Sequence, residues 1–193
     1  MTGTARALLA VSPLLWLFAP LRQAVESRMA LHMLVQLPLL LAAGWAAAAW
    51  CPRWPAAWAM RFDAQGLASA TFASAVLAFW MIPAALDAAL LDPSFAAFKF
   101  VSWWLAGLLL ADGQRRLAPV LTIFFLGNAA WMLVTAGLLY REAEQRLCVS
   151  YLVDEQAASG NGLIAFGLAL GALALPRRSS QPDWRNRWRS WSP

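Results

Sequence analysis

Three long, predominantly apolar stretches, residues 29–50, 66–91 and 117–140, decide most of what this chain can fold into. Crossing the ~30 Å hydrocarbon core of a bilayer takes about 20 helical residues, and each of these stretches reaches that length. Within lipid the backbone must satisfy its own hydrogen bonds, which leaves helices or a closed barrel. The alternating strands of a barrel are absent, so the stretches are read as helices. Residues 95–111 supply a fourth span. Two shorter runs, 7–20 and 162–176, bring the expected count to about six. Composition agrees: 61% of the 193 residues are hydrophobic and 13% are charged. Arg6 ahead of the first run also suits a signal peptide, but no small-x-small cleavage site follows, and Pro20-Leu21-Arg22 ends the run. The expected fold class is therefore all-α, a polytopic transmembrane helical bundle with a periplasmic interfacial helix. Residues 1–176 form one domain, followed by a basic tail over 177–193.

The interfacial helix is read from "YREAEQRLCVSYL", residues 140–152. Ala143, Leu147 and Tyr151 make one stripe, Cys148 and Leu152 lie beside it, and charges cover the rest. Pro83 is expected to kink the third span, because it lacks a backbone donor and crowds the preceding turn. "DPSF", residues 92–95, reads as a tight turn between spans three and four.

Basic residues set the orientation, since Lys and Arg in short loops stay on the cytoplasmic side. Six spans would place Arg6, Arg53, Arg61, Arg115, Arg116, Arg177, Arg178, Arg185, Arg187 and Arg189 on one side. Only Arg22, Arg28, Arg141 and Arg146 fall on the other, together with most of the acids. Both termini are expected in the cytoplasm of a bacterial inner membrane. The net charge of +5 is a topology signal. The tail interleaves five arginines with Trp184, Trp188 and Trp191 and suits an anionic headgroup layer, not nucleic acid. Cys51 and Cys148 fall at opposite faces of the bilayer, too far apart for a disulfide.

Polar residues at membrane depth are few, so each is a candidate for function. His32, the sole histidine, has Met29 and Met33 on its own helical face and Gln36 a turn further on. Thioethers and an imidazole suit Cu(I), while methionine is equally a filler of helix packing. His32, Asp87, Lys99 and the Asp154-Glu155-Gln156 triplet are all expected near one leaflet. A lysine inside a span needs water or an acid, and Asp87 at the end of span three is the expected partner; snorkelling to the surface is the alternative. Gln36 and Asn128 each need a hydrogen-bond partner on another helix or another chain. Trp80, Trp103, Trp104 and Trp131 lie within spans, where packing is the expected role. No nucleophile with a base, phosphate loop or pair of haem ligands is present, so no enzymatic activity is expected.

In order, "SPLLWLFAPL", "RMALHMLVQLPLLLAAG", "FWMIPAALDAALLDPSFAAFKFVSWWLAGLLL" and "LLYREAEQRLCVSYLVDEQAASGNGLI" resemble the CtaG family of cytochrome c oxidase assembly factors over residues 12–164. The resemblance implies a helical membrane protein that delivers copper to the binuclear centre of a haem-copper oxidase. It would assign Met29, His32 and Met33 to Cu(I). The departures are specific. Gln36 stands where the family pattern has a second histidine, and Lys99 lies in a stretch where the pattern carries histidines. The triplet is Asp154-Glu155-Gln156 instead of Asp-Gln-Gln, and the chain has one span fewer. Two readings follow: an oxidase assembly factor handling copper on the periplasmic side, or a copper-free accessory or scaffold subunit of a respiratory or other membrane complex. The expected partners are lipids and another membrane protein. With so few ligands left, the expectation is that no copper is bound.

Overall fold

The computed structural model describes residues 3–50, 61–143, 147–148 and 151–175. The described residues are helices and short connections, in the order α1 (Gly3–Val11), a 3₁₀ segment (Ser12–Leu17), α2 (Ala19–Glu26), α3 (Met29–Ala47), α4 (Leu67–Trp80), α5 (Pro83–Leu91), α6 (Pro93–Gly113), α7 (Pro119–Glu142) and α8 (Val153–Ala174). No strand occurs among them. By length and composition α3, α6, α7 and most of α8 can each cross a membrane, and the count rises to six if each of two bent pairs is one span. The protein is a multi-pass membrane protein with an all-α fold.

Proline placement explains the bends. Pro13 and Pro20 begin helical segments and interrupt the first apolar run, so α1 and α2 meet at 88° instead of forming one straight span over 7–20. Pro83 acts more strongly than a kink: the third span breaks at Met81 and Ile82, and α5 leaves α4 at 79° with Pro83 in its first turn. The expected turn over residues 92–95 contracts to Asp92, because Pro93, Ser94 and Phe95 already form the first turn of α6. Asp92 caps α6 by accepting from the Ser94 N–H at 2.7 Å, and Pro93 opens the helix.

Two expectations need correction. The last span starts at Val153, nine positions before 162. Its first turns hold the polar Glu155, Gln156 and Ser159, which read as loop in sequence but pack inward here. The described residues of 140–152 do not form a surface helix. Tyr140, Arg141 and Glu142 finish α7, and the described Ala143, Leu147, Cys148, Tyr151 and Leu152 are non-helical. Cys148 and Tyr151 are buried in the core. The tail 177–193 and Cys51 lie outside the described residues.

Helices α3 and α6 run parallel and touch at backbone distance. A Cβ on Gly44 would overlap the Trp104 carbonyl, and one on Gly107 would overlap the Leu41 carbonyl. Small residues of this kind let membrane helices approach when no hydrophobic force between them exists. Helices α7 and α8 use the same device at Gly137 and Gly160. Trp80 and Trp103 fill the interior, as packing requires, whereas Trp131 faces outward and is 68% exposed.

Candidate functional site

Helix α3 opens with an irregular turn. The Leu37 N–H bonds the His32 carbonyl five residues back, making residues 32–36 a π-type segment. Pro38 follows directly; it cannot donate to the Leu34 carbonyl, and a wider turn relieves the clash of its ring. Met29, His32, Met33 and Gln36 all point inward, each at most 2% exposed.

Lys99, in the second turn of α6, reaches this turn and is fully buried. Its ammonium lies 2.7 Å from Glu26 Oε1, 3.0 Å from His32 Nε2 and 3.3 Å from Gln36 Oε1. An ammonium has three protons, and three acceptors receive them. The acid partner is thus Glu26 at the end of α2, not Asp87. Asp87, in the middle of α5, acts instead on Cys148 and Tyr151, whose ionisation it disfavours. Glu26 is held further by the Gln36 Nε2 donor at 3.1 Å and by Arg22, 3.7 Å away.

Tyr151 completes the cluster. Its hydroxyl donates to the Glu26 backbone carbonyl at 2.9 Å and lies 2.7 Å from His32 Nδ1. Because that phenolic proton is already used, Nδ1 must be the nitrogen that carries hydrogen. Nε2 then holds the ring's lone pair, and Lys99 donates to it. Burial, aided by Glu26, Cys148 and Asp87, pushes the Tyr151 phenol up, so it stays protonated as this arrangement needs. Cys148, nearby, is pushed up to about 12 by burial, with Asp87 adding to it.

The remaining candidates lie around this cluster. Glu155 Oε2 accepts from the Met29 N–H at 3.4 Å. Gln156 ties α7 to the following loop: it donates to the Tyr140 carbonyl at 3.1 Å and accepts from the Leu147 N–H at 2.9 Å. Asp154 is exposed. Asn128 belongs elsewhere, on the outward face of α7. The sequence therefore signals His32, Gln36 and Lys99 but hides Glu26 and Tyr151. Glu26 precedes a helix start and looks like a surface acid; Tyr151 reads as the apolar stripe of an amphipathic helix.

This arrangement does not fit a metal at His32. The one imidazole lone pair is committed to an ammonium, so a copper ion would have to take the place of a positive charge already ion-paired there. Met29 and Met33 are packed in the hydrophobic core. No group of three or more His, Cys, Asp or Glu suited to a metal exists among the described residues. No protein-family model, curated protein or solved structure matches this chain.

Proposed function

We propose that this chain is a copper-free counterpart of the CtaG-type assembly factors, acting as a scaffold or accessory subunit of a respiratory membrane complex. The observation that carries the reading is the Lys99 ammonium on His32 Nε2. A fixed cation stands where the resembling family's pattern supplies further imidazoles, and a carboxylate neutralises it. Such a centre keeps the charge balance of a metal site and gives up exchange, so it holds helices together without carrying cargo. The order of sequence motifs over residues 12–164 supports the link to oxidase assembly. The arginine distribution supports cytoplasmic termini and a periplasmic position for the Lys99 cluster.

The test is purification from native membranes with copper and respiratory complexes measured together. Copper at background with co-elution of a larger membrane complex is the expected result. Stoichiometric Cu(I), lost in His32→Ala, would sink the copper-free reading and leave the delivery role. A reporter fused after Pro193 that works only in the periplasm would reverse the orientation.

A further inference from the structure

Among the described residues, helix α7 is covered on one side only. Ala130, Leu133, Gly137 and Tyr140 are buried, and Gly137 and Ala130 meet α8 at backbone distance. The opposite side, Phe124, Asn128, Trp131, Thr135 and Leu138, recurs at helical spacing and is exposed. Gly127 borders it, and a Cβ there would meet nothing within 4 Å. Lipid suits the apolar members of this face but not Asn128, which is placed near the middle of a 24-residue span. Among the described residues its amide has one partner, the Met132 thioether at 3.3 Å in the same helix. A thioether is a weak acceptor, and the Asn128 carbonyl has no donor there. Thr135, by contrast, is satisfied by the Trp131 and Met132 carbonyls.

We propose that this face of α7 is the seat of a second copy of the chain, the two Asn128 carboxamides pairing across a twofold axis along the membrane normal. Between Phe124 and Leu138 the face carries no ionisable side chain, and Glu142 continues it only at the helix end, so at the depth of Asn128 it offers nothing for a charged partner to match. What it needs is one donor and one acceptor at the depth of Asn128. A carboxamide is both, and is its own complement. Copies inserted in the same orientation have Asn128 at the same depth, so a twofold axis along the normal brings the two amides level. Any other membrane protein would have to supply a polar group at that depth independently. Gly127 leaves room for the backbones to approach, as the glycines of α3, α6, α7 and α8 do inside the molecule.

The test uses the full chain in lipid vesicles at varied protein-to-lipid ratio, with energy transfer between labelled copies reporting association. The native chain should associate reversibly. Asn128→Leu should weaken association by roughly threefold to tenfold, while Asn128→Gln should retain most of it. In a Cys51→Ser, Cys148→Ala background, single cysteines at Phe124, Asn128 and Trp131 should cross-link to a band of twice 21.1 kDa. A cysteine at Leu168, exposed on α8, should not. A monomer at every ratio, association untouched by Asn128→Leu, cross-linking at Leu168 as strong as at Asn128, or capture of a different membrane protein alone would each overturn the proposal.

Discussion

Two charged clusters stand at opposite ends of this bundle, and they are built on opposite principles. At one end Lys99 and Glu26 pair at 2.7 Å with side chains 0% and 9% exposed. At the other, Arg116 bridges Asp63 at 3.2 Å and Asp112 at 2.9 Å, with exposures of 23%, 12% and 40%. The Arg116 cluster is local carpentry. Asp63 accepts from the Ala68 N–H and Ser69, capping the approach to α4, and the Arg116 Nε donates to the Asp63 carbonyl. Water can replace any of its members. The Lys99 cluster has no such substitute: each ammonium proton is matched to an acceptor on α2 or α3, and Tyr151 ties the loop before α8 to both. Similar ion pairs on paper therefore differ in what their loss costs, because the environment sets the penalty for the partner left behind.

That contrast is sharpest under mutation. Lys99→Met removes the cation paired with Glu26 and the donor to Gln36 Oε1, and is expected to destabilise the protein by about 3–5 kcal/mol, read as lost accumulation in membranes or a lowered Tm in detergent. Adding Glu26→Gln should recover much of the loss. If single and double variants are equally stable, the pair is not the source of the penalty. Next in size, Tyr151→Phe strands His32 Nδ1–H and the Glu26 carbonyl together and should cost about 1–3 kcal/mol. Arg116→Ala should cost about 1 kcal/mol or less, and raising the salt concentration should shrink even that difference. A large salt-insensitive loss there would erase the distinction between the two ends.

A further expected effect is alkaline. Cys148 titrates ordinarily near 9 and is raised to about 12 in the folded chain. Its contribution to stability is therefore fully present below pH 9 and is lost as pH rises towards 12. Tyr151 shifts in the same direction from an ordinary value of 10.0. A decline of Tm should begin above pH 9 and steepen as pH rises towards 12, and Cys148→Ala should remove its first part. A Tm flat to pH 12 would mean the thiol is not as enclosed as the structure has it.

Much of the bundle was legible because hydrocarbon thickness forces long apolar runs, which no short-range ambiguity can hide. The unreadable parts have physical reasons. The break at Met81–Ile82 was visible as Pro83, but the size of a bend depends on what packs on either side. The early start of α8 was masked by polar residues that are buried by tertiary contacts. In the site, the spacing of Met29, His32, Met33 and Gln36 correctly marked an inward face. Lys99's partner was misread because chain proximity favoured Asp87 across a short turn, whereas Glu26 is 73 positions away in sequence. Nothing local distinguishes an acid that will be buried from one that stays wet.

That separation bears on how the protein is made. Glu26 ends a helix bent 88° from its predecessor, so it need not be carried deep with a span. It is synthesised well before Lys99, and can wait at the headgroup level, where a charge costs little. When α6 enters the bilayer, its lysine meets an acid, an imidazole and an amide already in place. The costly charge is thus the last of the four to arrive, and chain order itself spares the protein an unpaired ammonium during biogenesis.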